Sequence, residues 1–384
     1  MSDVRWLDEW LHAHTDGLIA VRRQIHAHPE LGHNEHETTA LIEERLNLAG
    51  LTPKRLPTGT GLICDIGNGQ PVIALRADLD ALPVPDTKDV RYRSSVPGVS
   101  HACGHDVHTT VLLGAGLALA SGPSLPGRVR LLFQPAEELI PGGALDVIAA
   151  DAVEDVTAIV ALHCQPRLDA GLVGLRVGPL TAAADAVAVH VEGPGGHTAR
   201  PQLTVDLVAA LARIALEVPP AVAPLSLVWG AVSAGAAGNV IPSSGLLRGS
   251  VRTTDPDAWA AARATVTAAV HAAAAPTGAT VDADYRTGVP PVVNDDGVVD
   301  VLRRGIVRTL GEQAIVDTDV SMGGEDFGWY LQSVPGAMAR LGVRRPGSTG
   351  EGGDLHQGSF DVDESAIAVG VRTLVGFALT ALGG

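Results

Sequence analysis

Short apolar segments recur along the first half of the chain, and each is followed by polar residues or by glycine and proline. Continuous apolar runs of this length are typical of strands covered on both faces by helices. Two segments between them, residues 109–119 and 143–150, are predicted to be helices. The sequence therefore indicates a layered α/β domain with a largely parallel sheet. The predicted strands cover residues 61–66, 72–75, 129–133 and 156–162, and the predicted helices cover residues 6–28, 34–48, 109–119 and 143–150.

The pattern changes near residue 183, where AVAVHV at 186–191 alternates strictly and predicts a half-buried strand. The elements that follow give the order β-α-β-β-α-β, which is typical of a ferredoxin-like α+β unit. After residue 290, helices and strands alternate again, ending in a helix over 364–382. We therefore expect a discontinuous larger domain, residues 1–182 and 291–384, with an inserted smaller domain, residues 183–290. The smaller domain's predicted elements are a helix over 204–218, strands over 225–233 and 245–253, a helix capped by Asp255, and a strand over 280–285.

Charge and composition exclude several classes of protein. The chain has 384 residues, and 43 acidic against 27 basic residues give a formal net charge of -16, which does not suit a nucleic-acid binder. No apolar run is long enough to span a membrane, and the charged start MSDVRWLDEW does not suit a signal peptide. Three cysteines are too few for a disulfide framework. We expect a cytoplasmic protein without nucleic-acid or membrane partners.

Ionisable residues cluster where the predicted strands end. Asp78 follows the strand over 72–75, Glu137 and Glu138 follow the strand over 129–133, and His163 follows the strand over 156–162. A further loop, HACGHDVH at 101–108, leads into an apolar helix. Ligands of open α/β sheets bind at these strand ends, so the loops are expected to meet there. Together they offer thiolate, imidazole and carboxylate groups, which are the usual ligands of zinc and related metals.

Each of these residues also has a simpler interpretation. Glu137 and Glu138 suit the first turn of a helix, where acids interact well with the dipole, and His163 suits a histidine satisfied in the core. Cys103 could be a nucleophile with a histidine as its base, although the surrounding acids would oppose thiolate formation. The joint pattern favours a metal site. Adjacent glutamates then have a specific use, because one can bind the metal while the other acts as general base on a metal-activated water.

Eight motifs, spread over nearly the whole chain, carry a family resemblance. The sequence resembles the zinc amidohydrolases of the hippurate-hydrolase type, which belong with aminoacylases, carboxypeptidase-G-like enzymes and auxin-conjugate hydrolases. The resemblance implies a zinc-exopeptidase-like catalytic domain with a large mixed sheet, and an inserted domain that serves as lid and dimerisation surface. The motifs, in chain order, are RADLDALP, HACGHDVH, FQPAEE, LHC, GPGGHTARP, GNVIPSS, GGEDF and LHQGSFDVDE.

The resemblance also implies a site for two divalent metal ions. Zinc is the expected metal because a thiolate takes part, with manganese, nickel and cobalt as alternatives. Glu137 is the implied general base, and Asp78 matches an aspartate that orients a ligand or the base. Arg76 and Cys103 stand where the wider superfamily has a ligand histidine and an aspartate, as suits the hippurate-hydrolase branch. The implied metal ligands are Cys103, His105, Glu138, His163 and His356.

Three residues of the inserted domain complete the expected site. By resemblance, His197 and Asn239 stabilise the oxyanion, often from the partner subunit, and Arg252 holds a substrate carboxylate. His197 would equally suit a turn or capping residue near the start of a helix. The predicted function is metal-dependent cleavage of the amide bond of N-acyl amino acids or related small amides by a homodimer. The alternatives are a dipeptidase or carboxypeptidase with the same two-metal centre, and a metal-binding protein without catalytic activity.

Overall fold

The computed structural model describes residues 4–348 and 353–383. The chain forms two compact units, of which the first contains Met1–Gly178, Val293–Asp319 and Trp329–Gly384, and the second contains Pro179–Val292 and Val320–Gly328. The α-helices are α1 (Arg5–Ala27), α2 (His36–Leu48), α3 (His105–Ser121), α4 (Ala144–Ala149), α5 (Leu207–Ala221), α6 (Pro256–Ala274), α7 (Asp296–Leu310) and α8 (Ala366–Ala381). The strands are β1 (Lys54–Arg55), β2 (Leu62–Gly67), β3 (Val72–Asp78), β4 (Arg128–Gln134), β5 (Val156–Asp169), β6 (Val173–Leu175), β7 (Gly178–Pro179), β8 (Ala184–Glu192), β9 (Gly196–His197), β10 (Ser226–Ala234), β11 (Val240–Ile241), β12 (Ser244–Arg252), β13 (Thr280–Val289), β14 (Val293–Asn294), β15 (Ile315–Asp317) and β16 (Gly336–Arg344).

The first unit is built on a mixed sheet of eight strands in the order β1-β2-β4-β3-β5-β16-β6-β15. Four central strands are parallel to one another, in the order β4, β3, β5 and β16. Outside this group, β1 pairs antiparallel with β2, β2 with β4, and β6 with β16. The predicted mixed α/β fold is confirmed. The parallel centre matters for function because it brings the carboxyl ends of β3, β4 and β5 to one edge of the sheet.

Burial explains why these segments adopt their structures. Every residue of β3 is buried, as expected for a central strand covered on both faces. Residues 105–116 of α3 are buried without interruption, because other helices and the sheet surround this apolar helix. In contrast, α1 buries a single stripe that includes Leu7, Leu11 and Leu18. Among the described helices, none has the length and apolarity needed to cross a membrane.

The second unit contains a four-stranded antiparallel sheet in the order β10-β12-β8-β13. Its own apolar core includes alternate residues of β8, together with buried residues of α5 and α6. The side chain of Asp255 caps α6, as predicted. Helix α5 begins at Leu207, later than the predicted residue 204. The reason is that the side chain of Asp206 accepts a hydrogen bond from the Ala209 N–H at 3.1 Å and so caps the first turn.

One segment differs from the domain boundaries that the sequence suggests. Residues 320–328 were expected in the larger domain, but the structure places them in the second unit. Ser321 explains this difference, since its N–H donates to the carbonyl of Leu180 at 2.9 Å and its carbonyl accepts the N–H of Ala182 at 3.0 Å. These backbone hydrogen bonds join segments that lie about 140 residues apart in the chain, and no local pattern signals them.

Candidate metal centre

The strand ends of the central sheet lie beside one another, as the parallel arrangement requires. Asp78 ends β3 and pairs in register with Gln134, which ends β4. The setting of His163 differs from the prediction, because β5 does not stop before His163 but continues to Asp169. The extension follows from pairing with β16, whose Arg340 lies opposite His163. His163 therefore projects from within a paired strand and not from a loop.

Cys103 and His163 form one side of a cluster of potential ligands. The Sγ atom of Cys103 lies 3.6 Å from Nε2 of His163, and both side chains are buried. Nδ1 of His163 lies 2.8 Å from the carbonyl oxygen of Cys164, so Nδ1 donates and Nε2 keeps its lone pair. Burial, followed by the charge of Arg340, lowers the pKa of His163 well below its usual value. The ring is thus neutral, as a ligand must be.

His105 begins α3 and points its Nε2 towards the adjacent glutamates. Nε2 lies 3.9 Å from Oε2 of Glu137 and 3.8 Å from Oε1 of Glu138. Cys103, His105 and His163 also place their ligand atoms within 4.8 Å of one another. Glu137 and Glu138 lie in a turn before α4, so the interpretation as a first helical turn is wrong.

His356 adds an imidazole from the far end of the chain. Its Nε2 lies 3.4 Å from Oε1 of Glu138, and Cys103, Glu138 and His356 form a further group with ligand atoms within 4.8 Å. The backbone of His356 has a left-handed φ of 63°, which is uncommon for a residue other than glycine. Its N–H donates to the carbonyl of Ala102 at 2.8 Å, which ties it to the loop that carries Cys103.

A divalent metal ion fits this set of donors. Nε2 of His105 and Oε1 of Glu138 are buried, and within residues 4–348 and 353–383 neither atom has a hydrogen-bond partner. Leaving such atoms without a partner is costly, and a cation held by both would satisfy them. Burial also raises the pKa of the Cys103 thiol well above its usual value. A free thiolate is therefore disfavoured at neutral pH, which argues against the cysteine-nucleophile interpretation.

Asp78 lies behind the ligands. Its Oδ2 accepts a hydrogen bond from Arg76 at 2.7 Å, and its Oδ1 accepts one from Nδ1 of His108 at 2.7 Å. Burial alone would raise the pKa of Asp78, but the neighbouring His105, His108 and Arg76 outweigh this effect and hold the pKa well below the usual range. Asp78 is therefore an anion, 3.8 Å from Nδ1 of His105.

Sequence reasoning missed two residues that orient this cluster. Asp80 lies closer to His105 than Asp78 does, with Oδ1 at 3.2 Å from Nδ1, and its Oδ2 accepts the N–H of Glu138 at 2.9 Å. His108 accepts the N–H of Cys164 on Nε2 at 2.8 Å, so this ring is occupied on both nitrogens. The signal for Asp80 was its place two residues after Asp78, and the signal for His108 was its place three residues after His105 on one helix face.

The remaining predicted residues belong to the second unit. His197 lies on β9, opposite Val240 of β11, and its exposed ring accepts the N–H of Ala199 on Nδ1 at 3.0 Å. The carbonyl of Asn239 accepts the N–H of Thr198 at 3.2 Å, so Asn239 lies beside this two-stranded sheet. Arg252 ends β12 and donates to the carbonyl of Met322. The ring of His197 thus makes a turn hydrogen bond on Nδ1, and its Nε2 can still donate elsewhere.

Comparison with known proteins places this geometry in context. Residues 74–380 match the sequence model of peptidase family M20/M25/M40. The chain is 48% identical over 374 residues to a Rhodococcus jostii (strain RHA1) protein provisionally named glutamate–cysteine ligase 2-3, covering 95% of this chain but only 46% of that longer protein. It is 36% identical over 363 residues to the N-acetyl-L-cysteine deacetylase of Bacillus subtilis (strain 168), covering 91% of this chain and 84% of that protein. A crystal structure from Bacillus subtilis, described as a dinuclear metal binding peptidase from the M20 family, has a TM-score of 0.86 at 32% identity and covers 97% of this chain and 99% of that one.

Proposed function

This chain belongs to peptidase family M20/M25/M40 and is a metal-dependent amidohydrolase, and we propose that it removes the acyl group from N-acyl amino acids or related small amides. The observation that carries the proposal is the convergence of sulfur, imidazole and carboxylate donors around Nε2 of His105 and Oε1 of Glu138, two buried atoms that make no hydrogen bond within the described residues. The relative named as an N-acetyl-L-cysteine deacetylase supports the substrate class.

The proposed site holds two divalent ions, and zinc is the proposed metal because a cysteine is among the donors. Manganese, nickel and cobalt are the alternatives that metal analysis of the purified protein would separate. The neutral His163 and the oriented His105 suit a divalent ion of this kind. The proposed ligands are Cys103, His105, Glu138, His163 and His356.

The chain's own residues would handle the proton and the developing charge. When bound, the divalent ions supply Lewis acidity, which polarises the amide carbonyl and lowers the pKa of water. Glu137 accepts the proton of the attacking water and returns it to the leaving amine, giving a carboxylate and a free amine. Asp78 keeps the surrounding imidazoles oriented. His197 and Asn239 donate hydrogen bonds to the oxyanion, and Arg252 binds a substrate carboxylate.

The substrate proposed here carries an apolar group. Leu139 and Ile140, which follow Glu138 directly, have 46% and 67% of their surfaces exposed. Exposed large apolar residues beside a predicted catalytic glutamate are suited to contact a hydrocarbon acyl group or side chain. A dipeptidase or carboxypeptidase remains the second candidate, because the solved relative is described as a peptidase. A free substrate amine would call for an acidic partner in the pocket.

We also propose a homodimer that forms through the second unit. Strand β10 lies at the edge of the four-stranded sheet, and its Val228 and Val232 are exposed. An edge strand with apolar side chains can pair with another chain. Size-exclusion chromatography with light scattering tests the dimer, and a monomer would contradict it. Location in the cytoplasm stays a prediction.

A substrate panel tests the proposed function. The protein is loaded with zinc or manganese and assayed against N-acetyl, N-benzoyl and N-hexanoyl amino acids, and against dipeptides with a free amino terminus. Hydrolysis of the N-acyl compounds with higher kcat/KM than the dipeptides is expected. A preference for dipeptides would favour the peptidase, and metal binding without any hydrolysis would favour a protein without catalytic activity.

A further inference from the structure

The turn that carries Glu137 has an unusual backbone. Ala136, the residue before Glu137, is fully buried and has a left-handed φ of 53°. Residues other than glycine adopt this conformation rarely, and they keep it only where the surroundings hold it in place. The direction in which the side chain of Glu137 points depends on the backbone conformation of Ala136.

Glu35 makes the first contact that holds Ala136 in place. Its carboxylate is buried, and Oε1 accepts the N–H of Ala136 at 2.8 Å and the N–H of His33 at 3.0 Å. One oxygen thus joins the segment before α2 to a turn 101 residues further along the chain. Because one buried oxygen accepts both backbone N–H groups, it fixes the two segments relative to each other.

Two glycines close the space on either side of the turn. A Cβ atom on Gly143 would lie 2.0 Å from the carbonyl oxygen of Pro135, and a Cβ atom on Gly61 would lie 2.6 Å from Cδ of Pro135. The N–H of Gly143 also donates to the carbonyl of Ala136 at 3.0 Å. The chain therefore packs closely around Pro135 and Ala136, and this leaves little room for the turn to rearrange.

The other side of Glu137 is held in the same way, since the N–H of Glu138 donates to Asp80. The backbone on both sides of Glu137 is thus bound to a carboxylate, Glu35 before it and Asp80 after it. We propose that Glu35 is a positioning residue, which holds the Ala136 turn so that the carboxylate of Glu137 points at the reacting water. This inference rests on the proposed function of Glu137 as general base.

Three variants at Glu35 test the proposal, with activity measured on the best substrate of the panel. E35A removes both hydrogen bonds, and we expect kcat to fall on the order of 10²-fold while bound metal and KM change little, because a misplacement of about 1 Å is enough for such a loss. E35Q keeps an oxygen that accepts both N–H groups, and kcat should stay within a few-fold of the wild type. E35D, whose chain is one methylene shorter, should resemble E35A and serves if E35A does not fold.

The matched control is E30A. Glu30 lies close in sequence, and its side chain accepts the N–H groups of Glu37 and Thr38, both at 2.9 Å, at the start of α2. E30A should keep kcat near the wild-type value even if it lowers Tm as much as E35A does. The proposal is wrong if E35A and E35D keep wild-type kcat, if E35Q loses as much as E35A, or if E30A loses as much as E35A.

Hydrogen–deuterium exchange gives a readout that does not depend on activity. A peptide over residues 134–140 should exchange faster in E35A than in the wild type or E30A, because the Ala136 N–H loses its acceptor. Unchanged exchange there would overturn the positioning role. If the wild type hydrolyses nothing in the panel while exchange changes as expected, the proposed function fails and the structural link between Glu35 and the turn stands.

Discussion

Oδ1 of Asp80 lies 3.2 Å from Nδ1 of His105, so this carboxylate, and not that of Asp78 at 3.8 Å, is the nearer partner of the His105 ring. A carboxylate in this position fixes the tautomer of a metal-binding histidine and increases its basicity. Asp80 also accepts the N–H of Glu138, so it orients two proposed ligands at once.

Asp80→Ala should lower metal affinity about 10- to 100-fold, because the His105 ring and the Glu138 backbone both lose their partner. Competition with a fluorescent chelator measures the affinity directly. Asp300→Ala is the control, since Asp300 makes an exposed i,i+4 ion pair with Arg304 on α7 and has no proposed role at the site. Equal metal affinity in both variants would mean that Asp80 does not orient the site.

The adjacent glutamates should separate cleanly in function. Glu137→Ala should keep its bound metal and lose about 10² to 10⁴-fold in kcat, because only the general base is removed. Glu138→Ala should instead lose metal, because its Oε1 lies between His105 and His356. Metal content by plasma mass spectrometry, measured beside kcat, distinguishes the two. Near-normal turnover of Glu137→Ala would remove it as the base.

Metal removal should affect both activity and stability. A ligand that binds only the folded state at 100 times its Kd adds about 2.7 kcal/mol to the free energy of unfolding. Chelation should therefore abolish hydrolysis and lower Tm, and added zinc or manganese should restore both. Calorimetry with and without chelator measures the shift. Activity that survives chelation but is lost on thiol alkylation would instead favour Cys103 as a nucleophile.

His197→Ala tests the proposed role of the second unit. Loss of an oxyanion donor is expected to lower kcat by about 10²- to 10³-fold, with metal content unchanged. His190→Ala is a suitable control, because His190 lies on β8 with its side chain exposed and has no proposed role. Steady-state kinetics and metal analysis of both variants provide the measurement. If His197→Ala keeps wild-type kcat, the role of His197 is limited to the turn hydrogen bond with Ala199.

Much of the fold follows from local patterns. Strands β3 and β4 were predicted within a few residues, because a central strand must be apolar over its whole length. The start of α6 at the Asp255 cap was also predicted from local sequence, because an N-cap depends only on its own side chain and the next few N–H groups. The length of β5 could not be predicted, because it depends on pairing with β16, about 175 residues away. The same holds for residues 320–328, whose partners near residue 181 lie about 140 residues away.

The amino-acid sequence by itself determined which chemical groups are present and roughly where each lies along the chain, because residue type and the ends of apolar runs can be read locally. The sequence was enough to identify Cys103 and His105 as candidate metal ligands. Only the tertiary structure decided that Asp80 faces His105 and that Glu35 holds Ala136. Such contacts depend on differences of less than an ångström between side chains from distant segments, and these arise only when the whole sheet and its loops have packed.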